Sequence, residues 1–89
     1  MSDDNQGFGK TMKLNIEYFA ILRERAGLDS ELIETEVTTP AELFAELTQR
    51  HGFPEMETVK VAINDEFGDW QAQLQDGDSV VFIPPVAGG

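Results

Sequence analysis

From Lys13 onward the chain alternates, with Leu14, Ile16 and Tyr18 apolar and Lys13, Asn15 and Glu17 polar between them. A period of two marks a strand buried on one face only. Phe19 stands where that parity requires a polar residue, so its ring has no structural reason to be there unless something covers that face. Residues 21–26 (ILRERA) predict a short helix or turn, stopped at Gly27, which tolerates the left-handed conformation of a helix end. Residues 31–38 alternate again, with Ile33, Thr35 and Val37 facing in and Glu34 and Glu36 facing out. A helix start follows: Thr39 as N-cap, Pro40 at the first helical position, and Glu42 placed to complete a capping box. Leu43, Phe44 and Leu47 supply the apolar stripe, and Gly52 followed by Pro54 ends the helix near His51.

Val59, Val61 and Ile63 predict a third strand, and the acidic stretch NDEFGD after it reads as a turn or loop. Asp76-Gly77-Asp78 is a strong turn signal. Residues 79–83 form a last strand that is apolar on both faces, Val80 and Phe82 on one and Val81 and Ile83 on the other, ended by Pro84 and Pro85. The expected order is therefore strand, short turn, strand, helix, strand, loop, strand. One main helix is available to cover one face of a mixed sheet, which is an α+β class of fold. If that helix covers the face bearing Ile16, Tyr18, Val80 and Phe82, then Phe19, Val81 and Ile83 lie on the open face. Three large apolar side chains there suggest a protein-docking patch, and the competing account is a loop folded over them.

With 89 residues the chain has room for one core and little depth for an enclosed active site. Residues 1–11 are polar, with Phe8 their one large apolar side chain, and predict a mobile tail ahead of a domain spanning 12–84. The absence of cysteine removes any disulfide, thiolate metal site or thiol nucleophile. No run of about 18 apolar residues occurs and the N-terminus lacks the pattern of a signal peptide, so a cytoplasmic, non-membrane protein is expected. Seventeen acidic against six basic residues give a net charge of −11, which repels nucleic acid and anionic lipid and suits protein partners with basic docking surfaces, the competing account being solubility or adaptation to a salty cytoplasm.

His51 has neither a cysteine nor a second histidine to work with, and reads as a cation near a helix C-terminus. Trp70 reads as packing. Asp65, Glu66 and Asp69 lack the spacing of a calcium loop and read as a solvated turn, so no metal site is expected.

Residues 85–89 close the chain as Pro85-Val86-Ala87-Gly88-Gly89. Prolines favour an extended path, and glycines without side chains can enter a narrow channel and be approached closely. A terminal carboxylate, with an ordinary pKa of about 3.3–3.7, is ionised at neutral pH and a poor electrophile until another protein activates it. Two terminal glycines alone are weak testimony, arising by chance in about one chain in two hundred.

The wider pattern is more specific. Tyr18-Phe19-Ala20, Leu22-Arg23-Glu24 with Gly27, Ala62-Ile63-Asn64, Asp76-Gly77-Asp78 and the run from Phe82 to Gly89 together resemble the MoaD-type sulfur carriers, the small subunits of molybdopterin synthase. The resemblance spans Met12 to Gly89, and the family's terminal signature is Pro-Pro-Val-x-Gly-Gly or Pro-Pro-Ile-x-Gly-Gly, with Ala87 here in the variable position. It implies a ubiquitin-like β-grasp fold and a non-catalytic, sulfur-donating role. It also implies adenylation of Gly89 by a ubiquitin-activating-type enzyme using ATP, and conversion to a thiocarboxylate by a sulfur donor. Transfer of the sulfur to cyclic pyranopterin monophosphate would follow in the large catalytic subunit of a heterotetramer. No bound cofactor is implied. Phe19, Phe67 and Ile83 match family positions that pack against the partner; Val81, Pro84, Pro85, Val86, Ala87 and Gly88 complete the expected docking and tail residues. A thiamine-type or tRNA-thiolation carrier, a ubiquitin-like modifier joined through Gly89, and a binding module with an inert tail are the alternatives. The Pro-Pro pair favours the molybdopterin branch.

Overall fold

A computed structural model describes residues 11–56 and 58–85. The expected mobile segment, but for Thr11, and Val86, Ala87, Gly88 and Gly89 lie outside those residues. Five strands and two helices follow in the order β1 (Met12–Tyr18), α1 (Ala20–Ala26), β2 (Ser30–Thr35), α2 (Pro40–His51), β3 (Lys60–Ile63), β4 (Glu66–Phe67) and β5 (Ser79–Ile83). They make one mixed sheet in the spatial order β2-β1-β5-β3-β4, with the β1–β5 pair parallel and the others antiparallel. This is the expected α+β arrangement of a β-grasp sheet with one main helix on one face.

Alternation along the strands decides which side is covered. Leu14, Ile16, Tyr18, Ile33, Val61, Val80 and Phe82 are buried and join Leu43 and Leu47 of α2, Leu22 of α1, Phe53 and Leu74 in one core. Each such side chain removed from water contributes about 1.5–3 kcal/mol. At one end of the core the rings of Phe44, Phe53, Phe82 and Trp70 pack against one another, Trp70 stacking on Phe82 with centroids 5.8 Å apart. Trp70 is thus a packing residue.

Helix α2 begins as its sequence dictates, with one adjustment. Thr39 Oγ1 accepts the Glu42 N–H at 3.3 Å, but the Glu42 carboxylate reaches past the N-cap to accept the Thr38 N–H at 3.1 Å. The Ala41 amide donates to the Trp70 carbonyl at 3.0 Å, so a loop residue satisfies a helix-end donor that the cap does not reach.

Three differences from the expected elements have local causes. Strand β2 stops at Thr35 because its ladder with β1 closes at the Met12–Thr35 pair. Thr35 there turns inward, its hydroxyl donating to Glu46 at 2.7 Å. The stretch read as a loop after β3 contains a further strand. Asn64 and Asp65 both take positive φ, 52° and 74°, the geometry of a two-residue hairpin turn, and this brings Phe67 opposite Ala62. Val59 lies outside β3, half-buried against the core.

The Asp76-Gly77-Asp78 turn joins three elements. Gly77, at φ 89°, places its N–H on the Lys13 carbonyl at 2.8 Å, while Asp76 Oδ1 accepts the Lys13 N–H at 2.7 Å. Asp78 accepts from the Asn64 side-chain amide at 3.0 Å and from the Gln75 N–H at 2.9 Å. Asn64 in turn accepts the Ser79 N–H at 2.9 Å, so the start of β5 is fixed to both of its neighbours.

A polar cluster closes the other side of the core. Tyr18 Oη donates to Glu31 Oε2 at 2.5 Å, and His51 Nε2 lies 2.8 Å from the same oxygen, its ring edge-on to Tyr18. His51, the last residue of α2, thereby ties the helix end to β2. Burial, and then the bond to Glu31, push the Tyr18 phenol far above its ordinary value. For Glu31, burial works to raise the pKa, but the hydrogen bonds from Tyr18 and with His51 outweigh it and hold the carboxyl below its usual 4.5. A carboxyl whose pKa is depressed on folding contributes stability that is complete above the unfolded value and is lost as pH falls through the folded one. Glu31→Gln should therefore cost about 1–3 kcal/mol near neutral pH, with the gap to the parent protein closing below pH 4.5. Urea unfolding on both sides of that pH measures it, and an undiminished gap in acid would show that the charge of Glu31 is not what stabilises.

Candidate functional site

The registers set out the open face row by row. Glu17 pairs with Val81, Val81 with Ala62, and Ala62 with Phe67; in the next row Ile83 pairs with Lys60. The face is thus polar over β1, where Lys13, Asn15 and Glu17 are exposed, and apolar over β5, β3 and β4. Its apolar half surrounds the point where the chain leaves β5 through Pro84 and Pro85.

A groove of about 350 Å³ lies at that point, lined by Thr58, Lys60, Phe67, Ile83, Pro84 and Pro85. Phe67 is 73% exposed and forms one wall. The Lys60 ammonium sits over its ring, 5.9 Å from the centroid, within cation–π range. Ile83 is half-buried and Pro84 buried, while Pro85 is exposed at the mouth.

Of the residues singled out from sequence, the structure brings Phe67, Ile83, Pro84 and Pro85 together in this groove and puts Val81 on the same face beside Ala62. Phe19 does not line the groove. It is 46% exposed and caps α1 in an extended conformation, one residue past the Tyr18–Phe82 pair. Ala20, at φ 54°, then turns the chain into α1 through a left-handed conformation that costs a non-glycine residue about 1–2 kcal/mol. Phe19's carbonyl accepts the Leu22 N–H at 3.0 Å.

Two residues of this face were not singled out. Lys60 alternates with the buried Val61, so parity alone directs it outward. Leu32, 70% exposed opposite Asn15, follows from the inward Ile33 by the same count. Among the described residues no group of three or more His, Asp or Glu side chains could hold a metal ion. Among the described residues Lys60 is the one ionisable side chain lining the groove. The arrangement is an exposed, largely apolar groove with a cation over its aromatic wall.

Phe67→Ser is therefore expected to change the unfolding free energy by less than about 1 kcal/mol, whereas Phe82→Ala on the covered face should cost about 3–5 kcal/mol. Guanidinium unfolding of the two variants compares them; a large loss for Phe67→Ser would make that ring a packing residue.

Comparison with known proteins agrees with this fold. The model of the ThiS family matches residues 16–89. The molybdopterin synthase sulfur carrier subunit of Chlamydomonas reinhardtii is 34% identical over 83 residues, covering 88% of this chain and 100% of that one. A Haloferax volcanii protein solved in solution is 28% identical, with a TM-score of 0.78 over 100% of this chain and 94% of that one. The complex of subunits 1 and 2 of the molybdopterin-converting factor from Helicobacter pylori contains a chain 29% identical, with a TM-score of 0.59, covering 88% of this chain and 100% of that one. A ubiquitin of Caldiarchaeum subterraneum, 17% identical with a TM-score of 0.61 over 90% of this chain and 100% of that one, shares the fold.

Proposed function

The chain belongs to the ThiS family, and from that membership we propose that it is a sulfur carrier serving molybdopterin synthase. The observation that carries this reading is the apolar groove at the root of the C-terminal segment, lined by Phe67, Ile83, Pro84 and Pro85. It is supported by the relatives named as sulfur carrier subunits and by the Helicobacter pylori chain solved in complex with its second subunit.

In this reading the two faces of the sheet divide the work. The covered face holds the fold. The open face docks first on an adenylating enzyme and then on the large synthase subunit, through Phe19, Phe67, Val81 and Ile83. Pro84 and Pro85 end the ladder, and the segment Val86-Ala87-Gly88-Gly89 serves the active site of whichever partner is bound. The Gly89 carboxylate, ionised and unreactive by itself, is adenylated at the expense of ATP, converted to a thiocarboxylate by a sulfur donor, and gives its sulfur to cyclic pyranopterin monophosphate on the large subunit. This chain contributes the carrier and the docking surface; the catalytic side chains belong to its partners. No cofactor is needed on the carrier itself.

Incubation of the protein with a ubiquitin-activating-type adenylating enzyme, ATP and a sulfur donor should add the mass of one oxygen-to-sulfur exchange to the C-terminal peptide, located at Gly89. Removal of Gly88 and Gly89 should abolish the change. An unaltered carboxylate, with a known carrier converted in parallel, would overturn the reading.

A further inference from the structure

The position of Lys60 carries an inference about the partner. This chain has a net charge of −11, and of its other described cations Arg25 is exposed on α1 while three have a carboxylate as neighbour. Arg23 lies 3.7 Å from Asp29 and Arg50 3.4 Å from Glu46. Lys13, on the polar half of the open face, has Glu34 directly across the β1–β2 ladder. Lys60 differs in what surrounds it. Its cross-strand partner is Ile83, its ammonium rests over the Phe67 ring, and the prolines that begin the C-terminal segment line the same groove.

Any protein surface that covers Phe67 and Ile83 also covers Lys60. An aromatic face attracts a cation but does not replace the water that an ammonium loses on burial, so a lysine with no acidic side chain beside it among the described groove residues opposes binding in such an interface. The interface becomes favourable when the partner places an anion against the ammonium. We propose that Lys60 is a specificity residue of this docking face, recognising a carboxylate that the large synthase subunit presents within the apolar patch covering the groove; the proposal rests on the synthase reading above. The polarity of the contact is then reversed at its centre. An acidic body draws in a basic partner surface at long range, and the groove accepts only a surface with an acidic side chain at one position. A basic protein lacking that carboxylate is drawn to the chain but cannot seat on the groove, and the charge fixes the register in which the C-terminal segment is delivered.

The competing account is that Lys60 is a gatekeeper, a charge that keeps an apolar sheet face from associating with copies of itself. The two differ in what an uncharged side chain of similar length does. Binding of the large synthase subunit encoded in the same genome to wild type, Lys60→Met, Lys60→Arg and Lys60→Glu, measured by calorimetry at low and high salt, separates them. Lys60 is exposed, and thermal unfolding of each variant verifies that its fold is intact. The expected result is roughly 10-fold or greater weakening for Lys60→Met, roughly 100-fold or greater for Lys60→Glu, and near-retention for Lys60→Arg. The salt dependence of binding should also be shallower for Lys60→Met than for wild type. Unchanged or tighter binding by Lys60→Met overturns the proposal while leaving the carrier reading in place. Failure of the wild-type chain to bind the subunit at all removes the synthase reading, and the partner carboxylate falls with it.

Discussion

One constraint governs this molecule: a five-stranded sheet has two faces, and the described residues form one helix long enough to cover a face. Twelve residues of α2 extend about 18 Å, sufficient to span the central strands on one side. α1, with seven residues, adds Leu22 to the same core. Every apolar side chain on the other side must therefore be justified by something other than this core. In β1 the sequence observes the rule, with Lys13, Asn15 and Glu17 outward. In β5, β3 and β4 it does not, and Val81, Ala62 and Phe67 run side by side across the uncovered face. Leu32 of β2 aside, the boundary between the two halves passes between β1 and β5, the central parallel pair.

That the apolar half coincides with the exit of the chain from β5 follows from how β5 is held. Asp76, Gly77 and Asp78 fix its start to β1 and to the Asn64 turn, and ladders on both sides fix its length. A central strand with both edges paired is among the least mobile parts of a sheet. Pro84 and Pro85 lack amide donors and release the backbone from the ladder directly afterwards. The root of the C-terminal segment is thus set at a defined place on a stiff element beside the groove. A partner covering the groove would meet Pro84 and Pro85 at a fixed place, and preorganisation of that kind reduces the ordering cost of docking.

Period-two and capping signals made most of this fold readable in the sequence. The inward sets of β1, β2 and β5, the Thr39-Pro40 start of α2 and the open-face position of Val81 and Ile83 all follow from local chemistry, and the structure has them so. What escaped depends on contacts distant in sequence. A two-residue strand such as Glu66–Phe67 has no periodicity to detect, and its turn is built from Asn-Asp, a weaker signal than Asn-Gly. The reach of Glu42 to Thr38 in place of Thr39, and the closure of Ala41 onto Trp70, are set by the loop packed on the helix start. The capping pair was legible, but its final bonding was not. In the site, Phe67 was identified through family resemblance and not through parity. Parity directs Lys60 outward, but nothing in the sequence marks it off from an ordinary solvated lysine on a strand.

The same strand serves stability and recognition without conflict between them. Val80 and Phe82 are fully buried, whereas Val81 and Ile83, each one residue away, keep part of their surface exposed. Substitutions of the outward pair are free to follow the shape of a partner, because the energy of folding resides in the inward pair and its contacts with α2. The polar cluster of Tyr18, Glu31 and His51 lies on the covered side, where it ties β1, β2 and the end of α2 together. Charge at the groove is therefore separate from the packing of the core: Lys60 is exposed over the Phe67 ring and takes no part in the contacts that hold the inward faces together.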